Sequence, residues 1–264
     1  MLTRQHAETA SGLLWTHWQE GTRLAALPAQ VRPATRAEGY AIQAELEKRS
    51  QAPLYGWKIA ATSIAGQKHI NVDGPIAGRI LAERVRDAGA PLPFGGNAMR
   101  VAEAEFAFRF GHDLSPRAKP YSVPEVLSAV GTLHPAIEVP DSRYEDFVTV
   151  GAAQLIADNA CAHDFVLGEA VSADWRSMDL IEHKVTGTVA GKLTREGKGA
   201  NVLGDPRVAL TWIANELSQL GIPLKAGQVV TTGTCVIPLP IVPGDEVACD
   251  FGKLGGLKIR FADR

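Results

Sequence analysis

The sequence predicts a mixed, β-rich α/β domain preceded by a helical segment. Three observations carry this expectation. Roughly the first 50 residues show helical apolar spacing and helix-capping residues. After Pro53 the texture changes to short apolar runs punctuated by glycine and proline. Beyond that point strands and helices do not alternate regularly, which argues against a Rossmann or barrel repeat. Residues 1–54 are therefore expected to form a helical segment packed on a single β-rich unit, residues 55–264.

The first helix is expected over residues 10–23. A second starts at Thr35, with Glu38 three residues later as a capping box, and presents Tyr40, Ile42 and Leu46 on one face. Strands are predicted at 55–61 and 76–81, followed by a strict alternation at 100–110. Ser122-Val123-Pro124-Glu125 is another capping box, predicting a helix to about Leu133. Residues 136–139 read as a short buried strand, and 165–167 and 185–193 as further strands. Asp205-Pro206 pairs a cap residue with a first-turn proline. The helix that follows carries Val208, Trp212, Ile213, Leu217 and Leu220 before Gly221 stops it. Residues 228–261 read as strand, turn, strand, with Pro243-Gly244-Asp245 as the turn.

Bulk properties exclude several function classes. The chain has 264 residues, enough for a full core, and a formal net charge of −2. Without a basic excess there is little to neutralise phosphates, and at 6% aromatic residues there is no stacking platform, so nucleic acid is not an expected partner. No run approaches the ~20 apolar residues that span a bilayer. The N-terminus lacks a signal peptide's apolar core, so a cytoplasmic enzyme is expected. Cys161, Cys235 and Cys249 are too sparse for a disulfide framework and lack Cys-x-x-Cys zinc spacing.

The most informative stretch runs from Val101 to Phe110. On a strand, Ala102, Ala104, Phe106, Phe108 and Phe110 share one face, made for a core. Glu103, Glu105, Ala107 and Arg109 share the other, with the two glutamate Cα atoms about 6.6 Å apart. Two such carboxylates are either a solvated face paired with Arg109 or the start of a site for a hard divalent cation. Glu138 is a third acid, set between Ile137 and Val139 in a buried run. Lys58 lies inside the apolar strand Gly56-Trp57-Lys58-Ile59-Ala60. It either snorkels to water or handles protons in a pocket. Asp158-Asn159 breaks an apolar run and is open to a simple turn-capping role.

Taken together, these segments resemble the 2-oxopent-4-enoate hydratase and 4-oxalocrotonate decarboxylase family, within the fumarylacetoacetate hydrolase superfamily. The resemblance covers nearly the whole chain from Gly56. Its markers are GWKIAATS from Gly56, AEAEFAF from Ala102, HPAIEVPDSRY from His134 and IADNA from Ile156. VLGDPRVALTWIANEL from Val202 and TTGTCVIPLPIVPGDEV from Thr231 complete the set. The resemblance implies a β-roll with flanking helices, assembled into homo-oligomers, and leaves room for a partner enzyme of the same pathway. It implies that Glu103, Glu105 and Glu138 bind Mg²⁺ or Mn²⁺. It places Lys58 in proton transfer, with Asp73 of Ile70-Asn71-Val72-Asp73-Gly74-Pro75 as a second catalytic group. Ser63, Asn159, Cys161 and Thr234 are implied to line the substrate.

The implied activity is hydration of 2-hydroxypenta-2,4-dienoate to 4-hydroxy-2-oxopentanoate. The alternatives are decarboxylation of 2-oxo-3-hexenedioate, acylpyruvate-type C–C hydrolysis, and a non-catalytic small-molecule binder. The chain departs from the family pattern at Ala60-Ala61, where glycine-leucine is common. It departs again at Cys161-Ala162-His163, where serines are common. His163 is expected on a surface loop.

Overall fold

The computed structural model describes residues 2–263. Helix α1 (Arg4–Glu20) is capped by Thr3, whose hydroxyl accepts from the His6 amide at 3.2 Å. It buries Ala7, Ala10, Leu14 and Trp18, three or four residues apart, and ends at Gly21, which takes the left-handed φ of 66°. The helix thus begins and ends earlier than the spacing of apolar residues predicts. Its first turn is mostly exposed, so it is set by the Thr3 cap rather than by burial. Helix α2 (Arg36–Ala44) starts where expected, with the Thr35 hydroxyl accepting from the Glu38 amide.

The remaining elements are β1 (Gly56–Ala60), α3 (Ile64–His69), β2 (Ile76–Ile80), β3 (Val101–Phe110) and α4 (Val123–Ala129). Next come β4 (Val130–Val139), α5 (Ala152–Ala157), β5 (Asp164–Leu167), β6 (Lys184–Val189) and β7 (Leu193–Lys198). The chain finishes with α6 (Pro206–Gln219), β8 (Val229–Thr234), β9 (Leu239–Pro240), β10 (Glu246–Asp250) and β11 (Gly256–Arg260).

Two sheets result. The larger has the order β2-β1-β8-β3-β4-β5, with β9 paired to the start of β3; the smaller has the order β11-β10-β6-β7. In the larger sheet β1 and β8 run parallel and the other pairs antiparallel. The alternation in β3 divides as the sequence predicts. Ala102, Ala104, Phe106, Phe108 and Phe110 are buried in the main core with Val230 and Ile137 from neighbouring strands. Ala209, Leu210, Ile213 and Leu217 of α6 and Val185, Val247 and Ile259 of the smaller sheet belong to the same core. The opposite face of β3 carries Glu103, Glu105 and Arg109, with Ala107 in a small apolar cluster with Ile80, Ala136, Phe165 and Val229.

Several elements differ from expectation. Helix α4 keeps its Ser122/Glu125 capping box but ends at Ala129, and the chain turns directly into β4. Pairing of β4 with nearly all of β3, from Glu103–Glu138 to Phe110–Val130, outweighs continuation of a short helix through Gly131 and Thr132. The strand read over 185–193 is a hairpin. Gly191 turns at φ 70°, and the polar β7 pairs back on β6. Helices α3 and α5 are too short for periodicity to reveal.

The N-terminal helices dock on the sheet through polar as well as apolar contacts. The Gln43 amide donates to the carbonyls of Ala77 and Ile156, both at 2.8 Å. Trp18 lies with the guanidinium carbons of Arg143 and Arg84 at 4.5 and 4.8 Å from its ring centre. Its indole N–H donates to His163 Nδ1 at 2.8 Å. His163 is therefore an interior docking residue, not the surface loop histidine expected, with 16% of its side chain accessible.

Loss of solvation, then Arg84, Arg143, Arg86 and Arg23, push His163 down to about 2. A histidine that stays neutral when folded but ionises when unfolded stabilises the fold above its ordinary pKa of about 6.5. That stability is lost as pH falls from there. From pH 7 to pH 5 the loss should be roughly 2 kcal/mol. Urea unfolding of wild type and His163→Gln at both pH values measures it: the variant should lack this increment of pH dependence.

Candidate metal and active site

The polar face of β3 carries Glu103 and Glu105 two residues apart, and antiparallel pairing sets Glu138 of β4 directly opposite Glu103. Each of the three offers a carboxylate oxygen within 4.8 Å of the others. Glu105 is 0% and Glu138 2% exposed, while Glu103 is half-buried. Arg109, further along the same face, does not pair with them. Its guanidinium donates instead to the Gly227 carbonyl at 3.0 Å and the Tyr55 hydroxyl at 3.1 Å. The solvated ion-pair reading of this face is thereby set aside.

Lys58 reaches the cluster from two strands away. In the register Lys58–Thr231–Ala107 across β1, β8 and β3, all three side chains share the face of Glu105. Lys58 Nζ lies 3.0 Å from Glu138 Oε1 and donates to the Ala160 carbonyl at 2.9 Å. Its aliphatic stem passes over Gly78, where an added Cβ would sit 3.1 Å from the lysine and 2.4 Å from the Asn159 carbonyl. Glu105 Oε2 accepts from the Thr231 hydroxyl and, at 2.8 Å, from the Gly233 amide. Gly233 takes φ 95° to make that approach.

These partners leave one buried oxygen over on each of Glu105 and Glu138. Glu105 Oε1 and Glu138 Oε2 are buried without a hydrogen-bond partner. Burial raises all three acids, and neighbouring carboxylates add to it at Glu103 and Glu105. Glu103 is pushed up to about 7, chiefly by loss of solvation and by Glu138, against the pull of Lys58. Glu105 is raised well above the ordinary range by the same causes. Glu138 is raised by burial, which outweighs the contact with Lys58. For Lys58, burial works against the charge, but Glu138, Glu103 and Glu105 together lift its proton affinity. Three hard oxygen donors, two of them with unsatisfied buried atoms, fit a divalent cation such as Mg²⁺. With a cation bound, the like charges that raise the acids become its ligands.

The acceptor for Lys58 is held by an unusual stretch of backbone. Asn159, Ala160 and Cys161 all adopt left-handed φ, at 57°, 51° and 60°. For alanine and cysteine this conformation costs roughly 1–2 kcal/mol each. Strain of this kind persists only where the surroundings over-determine it. Here Asp158, 1% exposed, accepts from Ser142 Oγ at 2.7 Å and from the Arg143 guanidinium.

The other residues implied by the sequence fall differently. Ser63 caps α3, accepting from the Gly66 amide at 3.0 Å, and is exposed. Thr234 donates to the Val236 carbonyl at 2.5 Å. Asn159 is fully buried, its side chain bonded to the backbone of Arg79 at 2.6 and 2.8 Å. Cys161 is 6% exposed, and burial, then Asp158, push its thiol up to about 12. Asp73 stands outside the cluster, with 84% of its side chain exposed and a carboxylate oxygen 3.4 Å from Arg36. It lines a surface pocket with Arg32, Asn71 and Gly151. Sequence reading missed Thr231, the Gly233 amide and the Ala160 carbonyl. Thr231 lay in a quoted motif, but a backbone donor or acceptor leaves no residue-type signal.

Known proteins are similar to this chain over most of its length. The family described as fumarylacetoacetate (FAA) hydrolase C-terminal matches residues 34–262. The 2-keto-4-pentenoate hydratase of Burkholderia vietnamiensis is 33% identical over 227 residues, covering 85% of each chain. The 2-hydroxyhexa-2,4-dienoate hydratase of Comamonas testosteroni is 29% identical over 268 residues, covering both chains in full. Among solved structures, 4-oxalocrotonate decarboxylase from Pseudomonas putida G7, complexed with magnesium and adipate, superposes with a TM-score of 0.89. It is 26% identical and covers 99% of each chain.

Raised carboxylate pKa values stabilise the metal-free fold at acid pH, below the ordinary value of 4.5, and that stability is lost as pH rises through about 7. Cation binding must therefore release protons below pH 7. Calorimetric titration with Mg²⁺ should show affinity rising at least roughly tenfold per pH unit below about pH 7. In Glu105→Gln, binding should be weakened at every pH.

Proposed function

The chain belongs to the fumarylacetoacetate (FAA) hydrolase C-terminal family, and from that premise we propose that it is a divalent-metal-dependent hydro-lyase. Its substrate is 2-hydroxypenta-2,4-dienoate and its product 4-hydroxy-2-oxopentanoate. The observation that carries the reading is one buried ammonium, Lys58, touching one of three carboxylates that converge on the same sheet face. Relatives named as hydratases of five- and six-carbon dienoates, 33% and 29% identical over most of their length, support the substrate class.

Glu103, Glu105 and Glu138 would hold Mg²⁺ or Mn²⁺. Such an ion supplies a Lewis acid for the carboxylate and 2-oxygen of a 2-oxo acid. Thr231 and the Gly233 amide fix Glu105 in place, and the Ala160 carbonyl with Glu138 fixes Lys58. Lys58 Nζ donates a proton at C5 of the dienol as the 2-hydroxyl proton departs, giving the conjugated 2-oxo-3-enoate. Water then adds its oxygen at C4 and a proton at C3. Asp73 is exposed and pairs with Arg36, so the proton traffic is assigned to Lys58. We further propose a cytoplasmic homo-oligomer. Among the described residues, no helix is long and apolar enough to cross a membrane.

The decarboxylase superposition over 99% of the chain favours a second reading, loss of the distal CO₂ from 2-oxo-3-hexenedioate at the same site. An ultraviolet assay with Mg²⁺ separates the two. The proposal expects loss of the dienoate signal, formation of 4-hydroxy-2-oxopentanoate, and abolition by EDTA. CO₂ release from the diacid alone would establish the second reading, and cleavage of acylpyruvates alone would overturn both. Lys58→Met should lower kcat by about 10²–10⁴-fold, with Mg²⁺ affinity kept within a few-fold.

A further inference from the structure

We propose that the turn at residues 158–162, fastened by Arg143, is the positioning device for Lys58, with Arg143 acting as a positioning residue. The inference rests on Lys58 as the proton donor and extends that reading to groups remote from the carboxylates.

The Lys58 ammonium is held from two sides. One of its two acceptors is a carboxylate; the other is the Ala160 carbonyl, in the middle of three consecutive left-handed residues. Asparagine tolerates that shape, but no local preference of alanine and cysteine holds it. Arg143 does so from below. Its Nε and Nη2 donate to the side chain and the carbonyl of Asp158, and its Nη1 to the carbonyls of Asp141 at 2.7 Å and Ala162 at 3.0 Å. One planar guanidinium thus grips both ends of the turn. A lysine ammonium, a point charge with three donors, cannot reproduce that fork. Arg143 is 1% exposed, and the Trp18 ring of the N-terminal helix stacks over it at 4.5 Å.

The second fastening is Asn159, whose side-chain amide pairs with the N–H and C=O of Arg79 like an added strand residue. Arg79 is on β2, next to Gly78, which stands opposite Lys58 in the β1–β2 register. The turn is therefore registered against the same strand pair that carries the lysine. Its carbonyl then meets Nζ without any flexible intermediary.

Two variants test this in the Mg²⁺-loaded protein. Arg143→Lys keeps the charge and loses the fork. Asn159→Gly removes the clasp on Arg79 while placing at φ 57° the residue that tolerates it best. Each should lower kcat about 10–100-fold, the scale of a misplacement near 1 Å, with KM and Mg²⁺ affinity within about twofold of wild type. In ¹⁵N-lysine-labelled protein, the slowly exchanging ammonium signal that Lys58→Met removes should be lost or broadened in both variants. Unchanged kcat and an unchanged ammonium signal would overturn the proposal. So would a parallel fall of kcat, Mg²⁺ affinity and melting temperature, which marks a merely structural role. If Arg143→Lys fails to fold, Asn159→Gly decides alone. If wild type leaves the dienoate untouched, the hydratase reading falls, while the ammonium signal still reports on the positioning.

Discussion

Like charges held side by side out of water are the constraint around which this molecule is arranged. Carboxylate oxygens of Glu103, Glu105 and Glu138 lie within 4.8 Å of one another on one sheet face. At that separation, and at the effective dielectric of protein sites, each ionised pair repels by roughly 3 kcal/mol or more. Against a typical net stability of about 5–15 kcal/mol, such repulsion is not a detail. Lys58 offsets part of it, Thr231 and the Gly233 amide satisfy one oxygen of Glu105, and two further oxygens stay unpartnered. A divalent cation bound there would account for the remainder, turning mutual repulsion into shared coordination.

Other features of the fold follow from keeping that cluster rigid. The carboxylates stand on paired central strands, whose opposite faces lock Phe106, Phe108 and Ile137 into the core. Truncating a buried phenylalanine of this kind costs about 3–5 kcal/mol, so the strands cannot easily relax their register to separate the charges. The strained turn at 159–161 then brings a neutral acceptor to the ammonium. The Arg143–Asp158 pair that holds this turn is covered by Trp18, and Trp18 is held by His163. A chain of contacts therefore links the N-terminal helix to the lysine.

Much of this was legible in the sequence because it depends on residue type and period. The alternation in β3 announced both faces, and an acid between Ile137 and Val139 announced itself by being out of place. The Asp205-Pro206 start of α6 was equally plain, and α6 runs from Pro206 with Asp205 accepting from the Arg207 amide. The differences from expectation have a common cause. Helix α4 stops early because β4 is needed as a partner for β3, a long-range demand that a capping box cannot report. Asn159 carries a polar side chain in a family-like motif, yet spends it on the Arg79 backbone. Asp73 points to Arg36 in the present conformation. Ala160 matters through its carbonyl, and no reading of side chains could find that. His163 looked like a loop residue because the helix that buries it lies some 145 positions away.

A crystal structure of the protein grown with Mn²⁺, with data collected to record the anomalous scattering of manganese, tests the cation site most directly. One anomalous peak in contact with carboxylate oxygens of Glu103, Glu105 and Glu138, with Lys58 still against Glu138, is the predicted result. A peak bound elsewhere, or none at those three residues at saturating Mn²⁺, would contradict the account.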